Sequence, residues 1–174
     1  MLEKPAVKNG LLLAAVWIVV YAVMYFINPE LLFNTGISFA ISLLIPIYFI
    51  RKAILEEREI NEGVLSLGEG FVSGILVYFI GALLYFAVQG IHMFNDEKFK
   101  ADGERISMEM AEKTMQKVFQ YTNIPEEEQE KAIAELKANP PTISPFQMVI
   151  GFLISLIFPG AIIAIIAAAA LKKG

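Results

Sequence analysis

The sequence predicts an all-α, polytopic membrane protein with four transmembrane helices and a helical hairpin between the third and the fourth. Three observations predict it. Of 174 residues, 56% are hydrophobic and 18% are charged, against about 45–50% and about 25% in an ordinary soluble domain. The apolar residues are gathered in four long blocks. Those blocks are apolar on every face, whereas the strands of a transmembrane barrel alternate apolar and polar residues. Within lipid a segment must satisfy its own backbone amides, so each block is read as a helix.

A hydrocarbon core of about 30 Å takes about 20 helical residues. Leu11–Ile27 is uncharged and is lengthened by Gly10 and Asn28. Lys4 and Lys8 precede it, as in a signal peptide. The block is long for a leader and no small-x-small site follows, so it reads as a retained first helix. Asn28-Pro29-Glu30 forms a turn, with Pro29 near the start of the second helix. Leu31–Ile50 is the second block, with Asn34, Thr35, Ser38 and Ser42 as its polar members; Phe71–Val88 and Phe146–Leu171 are the third and fourth. Ser66-Leu67-Gly68-Glu69 and Ser144-Pro145-Phe146-Gln147 have the spacing of capping boxes just before the last two. Glu69 is accounted for by that capping position. Pro46 and Pro159-Gly160 predict kinks. The organisation is therefore residues 1–90 for helices one to three with a cytoplasmic loop at 51–69, residues 91–145 for the hairpin, and residues 146–174 for helix four.

In the hairpin, Met108, Ala111, Met115, Val118, Phe119 and Thr122 fall at helical spacing between Asp102 and Thr122. Glu109 stands four residues before Lys113, the favourable order for an ion pair. A second helix is expected from Pro125 to Lys137, prefaced by Asn123 and opened by Glu126, Glu127 and Glu128 at the positive end of its dipole. Asn139-Pro140-Pro141 ends it.

Orientation follows from the basic residues near helix ends. Lys4, Lys8, Arg51, Lys52, Arg58, Lys172 and Lys173 fall on one side, and the first loop on the other side has no Lys or Arg. Both termini are expected inside and the hairpin outside.

Composition narrows the function classes. With no cysteine, disulfides, thiolate metal sites and cysteine nucleophiles are excluded. Net charge is -4 and there is no basic stripe, so nucleic acid is not an expected partner. No ionisable residue lies in the middle of any block, which argues against an ion-coupled pump. Nucleophile elbow, phosphate loop and HExxH are all missing from the sequence. No enzyme activity, cofactor or metal is expected. The lone histidine, His92, lies beside Asp96 and Glu97. A zinc site or a lipid-modifying cluster there is weighed against an ordinary interfacial side chain, and no second histidine exists to close a metal site.

The candidate contact residues are small or soft. Gly70, Gly74 and Gly81 lie near one face of helix three, and Gly160, Ala164 and Ala168 follow one another at intervals of four in helix four. Such seams let helix backbones approach closely, within one bundle or between copies. Met108, Met115 and Phe119 form the candidate partner-binding face of the hairpin, since methionine suits adaptable contacts. The leading expectation is an accessory or scaffold protein that binds membrane lipid and either self-associates or contacts a membrane-protein partner. The alternative is a subunit of an oligomeric channel or transporter, with Asn34, Ser38 and Ser42 lining the path; the bland reading of the two serines is a bond to their own helix carbonyls.

Lys8-Asn9-Gly10-Leu11 at the first helix, Arg51-Lys52 followed by an acidic stretch, Leu65-Ser66-Leu67-Gly68-Glu69-Gly70-Phe71 before the third, the charged helical insert and the terminal Lys172-Lys173 form a pattern. It resembles the bacterial family of small four-helix membrane proteins labelled domain of unknown function 4199, over nearly the whole chain. The resemblance implies four membrane helices and an inner-membrane location, and it assigns no site.

Overall fold

The computed structural model describes residues 4–122 and 124–172. Asn123, expected before the second hairpin helix, and Lys173, counted among the inward-facing charges, lie outside the described residues. The described chain is helical, with α1 (Pro5–Ile27), a 3-10 turn (Pro29–Phe33), α2 (Thr35–Ile60), α3 (Leu67–Asn95), α4 (Glu97–Tyr121), α5 (Glu126–Ala138), α6 (Pro145–Ser155), an irregular π-like segment (Leu156–Ala161) and α7 (Ile162–Leu171). Four helical stretches are long and apolar enough to cross a membrane: Pro5–Ile27, Gly36–Ile60, Leu67–Asn95 and Pro145–Leu171.

Local signals set most of the boundaries. Ser66 accepts from the Glu69 amide while the Glu69 carboxylate accepts from the Ser66 amide. Ser144 and Gln147 form the same reciprocal pair, with Pro145 in the first turn of α6. Three boundaries depart from the sequence reading. Pro29 opens a 3-10 turn rather than α2, because Asn34 supplies the cap: its side chain accepts from the Ile37 amide. Likewise α4 starts at Glu97, not Asp102, because Asp96 both ends α3 and caps α4 through the Phe99 amide. One residue therefore joins the third span to the hairpin. The stretch 51–69, read as a loop, is helical as far as Ile60; the turn follows at Glu62 and Gly63, whose φ values are 55° and 89°. Glu109 pairs with Arg105 at 2.7 Å, and among the described residues it forms no ion pair with Lys113.

Packing differs between the two ends of the bundle. At the end carrying the termini, α1, α2, α3 and α7 enclose Leu13, Ile50, Ile54, Val77 and Ala168, all at 0% exposure. Small residues allow this closeness. A Cβ added at Gly74 would stand 3.0 Å from the Ala164 Cβ and 3.2 Å from its Cα; one added at Gly70 would stand 3.1 Å from the Ala168 Cβ. Facing solvent rather than each other are Phe26 (82% exposed), Ile91 (67%) and Phe146 (72%), among many large apolar side chains. A soluble monomer rarely shows so wide an apolar surface. Hydrocarbon around the bundle accounts for it.

At the other end, which carries the hairpin, α1 and α3 stay in contact while α2 is less covered. The helix α2 runs through Pro46, but Gly36–Ala40 are exposed whereas Ile50, Ala53 and Ile54 are buried. The fourth span breaks at Phe158, whose backbone is extended (φ -135°, ψ 111°) before Pro159. Proline removes a helical donor there. The break sets Gly160 directly against Tyr78, with 2.7 Å between an added Cβ and the ring.

Candidate functional site

Two features at the hairpin end gather chemistry. The first is an aromatic and ionic hub. Tyr21 and Tyr25, one turn apart on α1, present their hydroxyls to α3: Tyr21 bonds His92 Nδ1, and Tyr25 donates to Asp96 Oδ2 at 3.1 Å. His92 Nε2 lies 3.6 Å from the same Asp96 oxygen. The imidazole also stacks on Phe99 of α4, 4.6 Å between centroids and 12° between planes, with Tyr25 edge-on at 4.5 Å. Tyr21, Met93 and Phe99 form a small buried core around it. Both ring nitrogens thus face protein partners, and among the described residues no three His, Asp or Glu side chains converge as metal ligands. The hub joins α1, α3 and α4.

The Asp96 carboxyl is held below its ordinary value of 3.8, chiefly by the Phe99 amide, with Tyr25 and His92 adding to it against partial desolvation. A depressed carboxylate stabilises the fold above its unfolded value and loses that contribution as pH falls through the folded one. Docking of the α4 start is therefore expected to stay unchanged from neutrality to about pH 4 and to loosen in stronger acid. Hydrogen exchange at the Phe99 amide checks it. Asp96→Asn should remove the acid transition; an equal transition in that variant would place its cause elsewhere.

Near the hub, Arg105 of α4 gathers Glu109 at 2.7 Å, Glu30 of the 3-10 turn at 3.2 Å and Asp102 at 3.8 Å. Glu109 first, then Glu30, raises the guanidinium above its ordinary value. This cluster fastens the hairpin to the first interhelical turn.

The second feature is a chamber of about 470 Å³ between α1, α2, α3 and α6, on the hairpin side of the tight seam. Trp17, Tyr21, Tyr78, Tyr85 and Phe86 form one wall, and Ser38, Phe39 and Ser42 of α2 form the other. Phe158 and Pro159 lie at the break. Phe39 and Phe158 stack across the gap at 6.3 Å. Ser38 and Ser42 line the space, but their hydroxyls donate to the carbonyls of Leu32 and Phe39. Asn34 is taken up as a helix cap.

The remaining candidates fall as follows. Gly70 faces Ala168, Gly74 faces Ala164 and Ile50, Gly81 faces Leu13, and Gly160 faces Tyr78. All six seam residues are buried within the single chain. Met108, Met115 and Phe119 are half-buried. They share their side of α4 with Glu112, which pairs with Lys137 of α5 at 3.6 Å, so α5 covers part of that face. At the termini end Asn9, fully buried, donates to the Pro5 carbonyl and to Glu56 Oε2, both at 2.9 Å, beside Lys8 and Lys52. Its Oδ1 has no hydrogen-bond partner among the described residues. Neither Asn9 nor the tyrosine pair was singled out from sequence as a site. The signal was there in Tyr21-x-x-x-Tyr25, two hydroxyls on one helix face at the level where His92 ends its own helix.

No curated protein and no solved structure shows significant similarity to the chain. The family model described as Protein of unknown function (DUF4199) matches residues 8–173, and with four membrane-length helices and the charged insert in place, the chain belongs to that family.

Proposed function

We propose that the protein is a non-enzymatic accessory or scaffold protein of the bacterial inner membrane, with both termini in the cytoplasm and the α4–α5 hairpin on the far side. Its partner is another membrane protein, a second copy included, met by the distal end of the hairpin. The observation that carries this reading is the division of surfaces. The small-residue seams are used up inside the bundle, while Tyr121 is 88% exposed and Val118 is exposed beside it, at the tip farthest from the hub. Aromatic side chains of this kind are the usual anchors of interfaces. Orientation is supported by Lys8, Lys52 and Arg58 gathered at one end, as the excess of basic residues on the cytoplasmic side requires.

Single cysteines at Val118 and Tyr121 test the reading, since the chain has none of its own. In native membranes a short bifunctional maleimide is expected to give one crosslinked species of defined mass. A membrane-impermeant maleimide should label these sites in intact spheroplasts. Monomer alone at every crosslinker length would remove the scaffold reading, and labelling only after lysis would invert the topology.

One observation favours a second reading, a subunit of a channel or transporter: the chamber. The seam closes it off from the termini end, so solute flux would require α3 and α7 to part. Liposome flux abolished by Ser42→Phe would support this reading.

A further inference from the structure

We infer that the chamber is a binding site for a neutral, flat-ring lipophile bearing carbonyl or hydroxyl oxygens, such as a quinone or a phenolic lipid, entering from the bilayer between α2 and the broken fourth span. This goes beyond the scaffold reading and does not depend on it.

Size comes first. Ligand sites typically enclose about 300–1,000 Å³, and a 150 Å³ apolar cavity already accepts benzene. At about 470 Å³ this chamber has room for a fused ring and the start of a tail. Charge comes second. Among the described residues, no Asp, Glu, Lys, Arg or His lines it. Desolvating an ion there would go uncompensated, so phosphate headgroups and free carboxylates are excluded and the occupant is neutral. The lining comes third. Trp17 stands edge-on to Tyr78 at 5.5 Å and tilted to Tyr85 at 5.7 Å. Offset and edge-to-face geometries favour a ring over a flexible chain, because aromatic contact gains more than area alone. Polar groups come fourth. Gln89 and Tyr85 border the chamber, and neither the carboxamide nor the hydroxyl has a hydrogen-bond partner among the described residues. They are free donors for a ligand oxygen. Ser38 and Ser42 have spent their protons on backbone carbonyls, so only their lone pairs remain. An acyl chain would satisfy none of these groups. Access comes last: the lateral wall between α2 and the break consists of the Phe39–Phe158 stack, both rings half exposed to the surrounding lipid.

The only tryptophan in the chain, Trp17, is a reporter built into the wall. Protein in nanodiscs is titrated with 2-methyl-1,4-naphthoquinone while tryptophan emission is read. Saturable quenching is expected. Gly151→Leu, which projects a side chain from α6 into open space beside Phe86, should raise the half-saturating concentration at least about tenfold. Gln89→Leu should raise it about fivefold, the effect of one hydrogen bond. Leu44→Phe, on the lipid-facing side of α2 at 64% exposure, should leave it unchanged. Dodecanol, a hydroxyl on a plain chain, should not relieve the quenching at equal mole fraction. Linear, unsaturable quenching would mean partitioning into the bilayer and would overturn the inference. Equal displacement by dodecanol would overturn it as well, by making the space a chain slot. If Gly151→Leu elutes as misfolded protein, Gln89→Leu and the dodecanol competition decide the question.

Discussion

Gly74→Leu is expected to abolish the closed end of the bundle. The Cβ alone would stand 3.0 Å from the Ala164 Cβ, 3.2 Å from its Cα and 3.0 Å from Ile50 Cγ2. Two of these three neighbours belong to α7 around its backbone, and the third lies in the fully buried centre of α2. None can swing aside as the far end of a long side chain could. The isobutyl group must therefore push α7 away from α3. Overpacking costs about 1–3 kcal/mol where side chains can absorb it, and a displaced helix takes the cost to the upper end of that range or past it. Folded protein recovered in mild detergent should fall severely, and the SDS fraction at half-unfolding should drop. Gly81→Ala, which adds one methyl rather than an isobutyl group, should show a smaller but definite loss, because its Cβ would stand 2.7 Å from Leu13 Cδ2 and 2.8 Å from Leu13 Cγ, in a fully buried side chain. Gly68→Ala, with nothing within 4 Å, should change little. Equal tolerance of leucine at positions 68 and 74 would mean that the seam does not hold α3 to α7.

How much of this was legible in the sequence depends on the range of each signal. The caps were legible because Ser66 with Glu69, and Ser144 with Gln147, act within one turn. Small residues in helices three and four were legible as seams, but not their pairing. That Gly74 meets Ala164 while Gly81 meets a leucine of α1 depends on how far one helix is offset against another, and no local pattern states that offset. The start of α4 was misplaced because Asp96 looked like one more acidic residue in a charged stretch; its cap forms with Phe99, an apolar residue whose burial depends on Tyr21, more than seventy positions earlier. His92 looked isolated for the same reason. The chamber was the least visible. Pro159, which borders it, could be seen, but it reads only as a kink in its own helix. Only the assembled bundle shows that α2 before Pro46, at Ser38, Phe39 and Ser42, and the fourth span at Phe158 and Pro159 border the same space.

Removal of the His92 imidazole tests whether the hub holds the hairpin to the bundle. In His92→Ala the Tyr21 hydroxyl, on a residue only 6% exposed, loses its partner, which costs about 1–3 kcal/mol for a buried polar group. The stacked contact with Phe99 and the edge contact with Tyr25 are lost too, each worth about 0.5–1.5 kcal/mol. Asp96 keeps its cap on α4 and its bond from Tyr25, so the start of that helix survives while its attachment to α1 weakens. The spans themselves are held by the seam and should remain folded. The expected result is selective: trypsin should cut proteoliposomes at Lys98, Lys100 and Arg105 about tenfold or more faster than in the unaltered protein, following the raised population of detached hairpin, while helical content and the detergent melting of the spans change little. His92→Gln, which can still reach the Tyr21 hydroxyl but cannot stack on Phe99, should fall between the two. Cleavage of His92→Ala at the unaltered rate would show that the remaining contacts, among them Arg105–Glu30, Tyr25–Asp96 and Phe33–Phe99, keep the hairpin in place without the imidazole. Cleavage accompanied by collapse of the spans would show that hub and bundle unfold as one cooperative unit.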